Sequence, residues 1–90
     1  MDDISLGLKE ARGARAEALL KDDLLQEAFK VVHADYMAQW LKTEIKDTEI
    51  RERLWTAIRL LGQVELHLHK VFRDGKLATN DLAKVKYLKR

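Results

Sequence analysis

Residues 47–75 read DTEIRERLWTAIRLLGQVELHLHKVFRDG, and this stretch decides the fold. Within it Ile50, Leu54, Ala57, Leu61, Val64, Leu68 and Val71 recur at alternating steps of four and three. Those steps place the apolar side chains on one stripe of an α-helix, the pattern that two packed helices share. Asp47 stands before the stripe as a candidate N-cap. Glu49 and Glu52 lie in the first turns, where negative charge suits the positive helix end. Asp74-Gly75 closes the helix, because glycine readily takes the left-handed conformation of a helix C-cap. At about 1.5 Å per residue such a helix spans roughly 42 Å. Trp55, Ile58 and Phe72 show apolar groups on a second side. Gly62 sits mid-helix, where glycine weakens the element, and close approach of another helix is the reason it implies.

Upstream, Leu25, Phe29, Val32, Tyr36 and Trp40 recur at helical steps, which predicts a second helix over residues 23–42. Either Asp22 or Asp23 can cap it, and Asp23 has Gln26 three residues on, a capping-box spacing. Leu24, Ala28 and Val31 widen its apolar face, and Met37 and Leu41 add a flank, so this helix must touch more than one neighbour. Thr43-Glu44-Ile45-Lys46 is a link of the length that joins antiparallel helices. Phe29, Tyr36 and Trp40 are assigned to the core of this hairpin. Trp40 and Trp55 flank the bend and are expected to touch. A shorter helix from Lys9 to Leu20 precedes the hairpin. Gly13 weakens it by about 1 kcal/mol relative to alanine, while the small side chains Ala11, Ala14 and Ala18 let it sit close to a neighbour. Ile4, Leu6 and Leu8 around Gly7 read as an arm over residues 1–8. After Gly75, Thr79-Asn80-Asp81 is a second capping cluster, and Leu82, Val85 and Leu88 support a short last helix.

The expected fold is therefore all-α: an antiparallel helical hairpin of residues 23–42 and 47–74, with a short helix before and after it, forming an oligomer. The domain organisation is an arm over 1–8, a helical hairpin domain over 9–78 and a basic C-terminal helix or tail over 79–90.

Composition supports association. A chain of 90 residues is one domain and buries only about 60% of its unfolded surface, so its own core is marginal. The usual remedies are disulfides, a metal or a second chain. There is no cysteine, which removes disulfides and thiolate metal sites and fits a reducing compartment. There is no proline and there are only four glycines, while Ala, Leu, Lys, Arg and Glu, all good helix formers, are abundant. No apolar run approaches the roughly 20 residues of a membrane span. The start, Met1-Asp2-Asp3, is unlike the basic beginning of a signal peptide, so the chain is expected to stay where it is made. The net charge is +2 but uneven. Residues 75–90 hold Lys76, Lys84, Lys86, Lys89 and Arg90 against Asp81 alone, while residues 1–23 carry a net excess of acid. Such asymmetry permits head-to-tail attraction between copies, or a basic tail that meets phosphate.

The residues point away from catalysis. His67 and His69 are two apart, so on a helix they diverge by about 200° and cannot share one metal within a chain. Glu65 and His69 are four apart, but a third ligand is missing nearby. The pairs Asp2-Asp3 and Asp22-Asp23 lie at chain and helix starts, where solvation or capping explains them. Ser5 is the only serine, and no nucleophile stands beside a histidine. No glycine-rich phosphate loop is present. The expectation is no enzyme, no catalytic residue, no metal and no cofactor. Arg51, Arg53, Arg59 and Arg73 interleave with Glu49, Glu52 and Glu65, which reads as a solvated face with local ion pairs. Lys84, Lys86, Lys89 and Arg90, with Tyr87 among them, form the better nucleic-acid candidate, able to hold phosphates without reading sequence.

Leu19-Leu20, Glu27-Ala28-Phe29, Tyr36, Trp40, Asp47-Thr48-Glu49, Arg51-Glu52-Arg53-Leu54-Trp55, His67-Leu68 and Gly75-Lys76-Leu77-Ala78 together resemble a group of small helical proteins of tailed bacteriophages and prophages. The resemblance covers residues 14 to 78 and is a packing signature. The group often has Asn-Pro at the turn where this chain has Lys21-Asp22-Asp23. The resemblance implies a viral setting, in head assembly or DNA packaging. The resulting expectation is a non-enzymatic phage structural or assembly protein. It would act in the host cytoplasm during assembly, or in the virion, through association with itself and with other phage proteins. Trp55, Leu61, Val64 and Leu68 are expected to carry contacts, with Arg59 and Arg73 at the rim. The alternatives are a ring-forming DNA-packaging component that touches DNA through the basic tail, and an inhibitor that binds a host protein. No membrane and no small-molecule substrate is expected as a partner.

Overall fold

The computed structural model describes residues 3–88. Among them the chain is all-helical, with three helices and no strand: α1 (Asp3–Leu20), α2 (Asp23–Leu41) and α3 (Thr48–Leu88). α3 is 41 residues long, and two compact units share it. One unit holds Asp22–Leu66; the other holds Met1–Lys21 and His67–Arg90.

In the unit of Asp22–Leu66, Asp22 begins α2. Its backbone is extended and its Oδ1 accepts the Leu25 N–H at 2.8 Å, satisfying one of the orphan donors of the first turn. Of the two candidate aspartates the structure uses Asp22, and Asp23 is already the first helical residue. Phe29 is buried, and Leu25, Tyr36 and Trp40 are half-buried on the same face. Opposite them, Leu54, Ala57, Ile58 and Leu61 of α3 are half-buried. Phe29, Lys30 and His33 line one cleft with Leu61, Gly62 and Glu65, while Trp40 and Thr43 meet Arg51, so the two segments run antiparallel. The bend is tied by polar contacts. The Thr43 hydroxyl donates to the Trp40 carbonyl at 2.6 Å and accepts from Arg51 Nε at 2.8 Å. The Arg51 guanidinium also lies over the Trp40 ring, 4.2 Å from its centre. Asp47 turns its carboxylate back to accept the Glu44 N–H at 2.8 Å, while its carbonyl accepts the Arg51 N–H as the helix begins. Its side chain therefore braces the link and does not serve as the expected cap; only its carbonyl joins the first turn of α3.

In the other unit α1 packs on the second half of α3. Glu10 lies near Thr79 along one flank, and Leu19 lies near His67 along the other, so these helices are also antiparallel. The buried residues are Leu6, Gly13 and Ala16 on α1 and Gly75 and Ala78 on α3. Gly13 and Gly75 face each other. A Cβ on Gly13 would come within 2.6 Å of Gly75 Cα, and one on Gly75 within 2.5 Å of Gly13 Cα. The two backbones touch, which only glycine at both positions allows.

Several expectations are corrected here. Gly75 does not close a helix. No glycine has positive φ, and α3 continues through it to Leu88, because the contact with α1 holds Gly75 in helical conformation and overrides its preference for a cap. The expected cap cluster is absorbed in the same way: the Thr79 hydroxyl donates to the Gly75 carbonyl at 3.0 Å, four residues back inside the helix. Residues 79–88 are thus the end of α3 and not a separate helix, and Leu82 and Val85 are half-buried. Residues 3–8 are not an arm but the start of α1. In a helix Ile4 and Leu8 share one face and Leu6 takes the opposite one, which is why Leu6 is buried while the other two are exposed. The close approach expected at Gly62 is absent, since a Cβ there would meet nothing within 4 Å. On the main stripe, Val64 is 54% exposed and Glu65 is half-buried in its place. Around the helix Val64 lies about 60° to one side of Leu61 and Glu65 about 40° to the other, and the cleft with α2 takes in the Glu65 side; Ile50, at the start of the stripe, is 53% exposed as well.

The glycines are separable by mutation. Gly75→Ala is expected to destabilise the fold by about 1–3 kcal/mol despite alanine's better helix propensity, because the new methyl strikes backbone. Gly62→Ala is expected to stabilise by up to about 1 kcal/mol. Urea unfolding of the two variants against the parent checks both signs.

Candidate protein interface

The described chain hides few apolar side chains. Leu6, Ala16, Phe29 and Ala78 are buried, whereas fifteen large hydrophobic residues are exposed. Singly exposed apolar residues are ordinary, but contiguous ones mark an interaction surface. Three sets are contiguous along a helix.

The first lies on α3. Trp55, Arg59 and Leu66 follow one another at steps of four and seven, so they share a stripe away from α2. Trp55 is 56% exposed, and the Arg59 guanidinium lies 4.8 Å from the centre of its ring. The pair forms a shallow cleft with Thr56, Leu60 and Gln63. The second set is Leu60 and Val64, one turn apart and exposed; Val64 lies about 180° around the helix from Trp55, so this is a separate face. The third lies on α2. Leu24, Ala28, Val31, Asp35 and Ala38 repeat at steps of four and three on the side opposite Phe29, and all are exposed. Leu24 is 74% and Val31 58% exposed. Glu27 and Asp35 lie on this face; the Asp35 carboxylate accepts a long hydrogen bond from Gln39 Nε2 at 3.4 Å.

The other unit presents a different surface. Arg12, Arg15 and His67 line an open groove whose floor is Ala16, Leu19, Leu68 and Val71. No carboxylate lines it, and among the described residues neither Arg12 nor Arg15 forms an ion pair. On the far side of the Gly13–Gly75 contact, Glu10, Glu17 and Lys76 line a groove of mixed charge. The two units also differ in total charge. Met1–Lys21 with His67–Arg90 carries eleven bases against six acids, a net of +5. Asp22–Leu66 carries six bases against nine acids, a net of −3.

The expected interface residues are thus divided. Trp55, Val64, Arg59 and Arg73 are exposed, and Trp55 and Arg59 are brought together. Leu61 is half-buried against α2 beside Phe29 and His33, and Leu68 forms part of the Arg12–Arg15 groove floor. The expected Trp40–Trp55 pairing is not made: each ring carries its own arginine, Arg51 and Arg59. Lys84 and Lys86 are exposed on the last turns of α3; Lys89 and Arg90 lie outside the described residues. Among the described residues no three or more metal-ligating side chains come together. Glu65 lines the cleft with Lys30 and His33, and His67 stands in the other unit's groove. No described helix is long and apolar enough to cross a membrane. The groove at Arg12 and Arg15 was not singled out from the sequence. The available signal was the sharing of one side of α1 by Arg12, Arg15, Ala16 and Leu19, spaced by three, one and three.

No family model, no curated protein and no solved structure matches this chain.

The arginine that ties the bend gives a direct check on how the α2–α3 pair is held. Arg51→Ala removes a hydrogen bond and a ring contact together and is expected to cost about 1–2 kcal/mol. Arg51→Lys is expected to restore little of this, since an ammonium lacks the planar fork that serves both partners. Thermal unfolding followed by tryptophan fluorescence measures both.

Proposed function

We propose that this chain is a non-enzymatic structural or assembly protein of a tailed phage, and that it acts by helix-mediated association of its copies with one another and with other phage proteins. The place of action in this reading is the host cytoplasm during assembly, or the particle itself. The observation that carries the proposal is the imbalance between a very small interior and contiguous apolar stripes left open on α2 and α3. Full burial of a large apolar side chain is worth about 1.5–3 kcal/mol. A partner covering Trp55 and Leu66, which share one face and are each more than half exposed, would gain about 2–4 kcal/mol, a sizeable fraction of the whole stability of a small domain. The helical hairpin formed by α2 and the first half of α3 is the element that offers these stripes, and oligomerisation is one remedy open to a small chain without disulfides. The phage setting rests on the likeness of residues 14 to 78 to small helical phage proteins.

A second reading, a DNA-packaging component, is favoured by one observation: the net charge of +5 in the unit that holds the end of α3, where Lys84 and Lys86 are exposed. Association with duplex DNA would then fall steeply with salt, because each neutralised phosphate releases a counterion.

Solution mass tests the first reading. The purified protein is expected to sediment as a discrete oligomer at micromolar concentration. Trp55→Glu with Leu66→Glu is expected to shift it toward monomer without loss of helicity, since both side chains are more than half exposed. A protein that stays monomeric at all concentrations refutes the proposal. Leu61→Asp is expected to behave differently: it places a charge against Phe29 inside the α2–α3 pair and should lower the melting temperature itself.

A further inference from the structure

Two of the surfaces described above are complementary in both charge and polarity. The groove between α1 and the second half of α3 has an apolar floor, with Arg12 and Arg15 at its edges and no carboxylate. The outer face of α2 has an apolar seam, Leu24, Ala28 and Val31, with Glu27 and Asp35 beside it. The α2 base nearest that stretch, Lys30, lies on the other side of the helix, in the cleft with Phe29 and Glu65. Leu24 and Val31 are seven residues apart, as are Arg12 and Leu19, so seam and groove each extend about 10 Å along their helices. Both lie open on the chain, and each belongs to the unit with the matching excess of charge: +5 for the groove, −3 for the seam.

We infer that the partner seated in the Arg12–Arg15 groove is the outer face of α2 from a second copy of this chain. The inference rests on the proposed self-association and adds its contact: Leu24 and Val31 of one copy lie on Ala16, Leu19, Leu68 and Val71 of the next, while Glu27 and Asp35 meet the arginines. Arginine suits this place because its guanidinium binds carboxylates in a fork and is weakly hydrated. Charge complementarity of this kind sets register and excludes wrong partners more than it adds raw affinity. The contact is between different surfaces of two identical chains, and such a contact propagates around a ring or along a filament unless a two-fold axis makes it reciprocal.

Charge reversal tests the pairing, because all four charged residues are exposed and the variants are expected to keep the parent's helicity and melting temperature. Arg12→Glu with Arg15→Glu, and separately Glu27→Arg with Asp35→Arg, are each expected to weaken self-association by about tenfold or more in sedimentation. The quadruple variant, which inverts both surfaces at once, is expected to restore it. The parent assembly is expected to loosen with rising salt. Reversals that leave the mass unchanged overturn this contact while leaving self-association standing. A parent protein that is monomeric throughout overturns both. Loss in the double variants without recovery in the quadruple one overturns the pairing of these two surfaces. So does a groove variant that loses duplex DNA binding while the oligomer persists, since the arginines would then serve phosphate.

Discussion

Two helix backbones touch at Gly13 and Gly75, and the shape of one whole unit follows from that contact. With no side chain at either position, α1 lies against α3 closely enough for Ala16 and Ala78 to fill the interior beside it. The same contact keeps Gly75 helical, so α3 runs on where an isolated sequence would stop. It also creates the two flanking grooves, one of mixed charge and one carrying Arg12, Arg15 and His67 over an apolar floor. Dispersion between the close-packed backbones adds to the burial of Leu6, Ala16 and Ala78 in holding this unit together.

The opposite economy holds in the other unit. There a single large side chain, Phe29, is buried, and the bend relies on polar ties: Thr43 to Trp40, Arg51 to Thr43, Asp47 to Glu44. The surface ion pairs, such as Arg53 with Glu49 and Lys46 with Glu44, are exposed and contribute little. A unit held by so small an interior leaves its apolar residues on outer faces of both helices. These faces are what give the molecule a role in contact with other macromolecules under the reading proposed here.

Charge then separates surfaces that composition alone makes look alike. Along the sequence the bases concentrate after Gly75 and the acids before Leu24. In the fold, α1 brings Arg12 and Arg15 beside the basic end of α3, and the intervening residues keep an excess of acid. One chain therefore presents a cationic apolar groove and an anionic apolar ridge.

The sequence by itself determined that the chain is helical, where α2 lies, that Leu25, Phe29, Tyr36 and Trp40 turn inward, though not that Val32 of the same set is left exposed, and that α3 begins after Asp47. These are properties of local periodicity and capping, set by residues a turn or two apart. Tertiary structure decided the rest. Gly75 carries the same local signal whether it ends a helix or meets another glycine, and only the presence of Gly13 across the contact settles which. Gly62 carries an equally good signal for close approach, yet nothing in the chain lies within 4 Å of where its Cβ would be. Ile4, Leu6 and Leu8 alternate like a strand and fold as a helix because only Leu6 finds an interior. The Arg12–Arg15 groove was invisible for the same reason: its floor joins side chains nearly fifty residues apart, and no local pattern encodes which distant helix a short one will lie against.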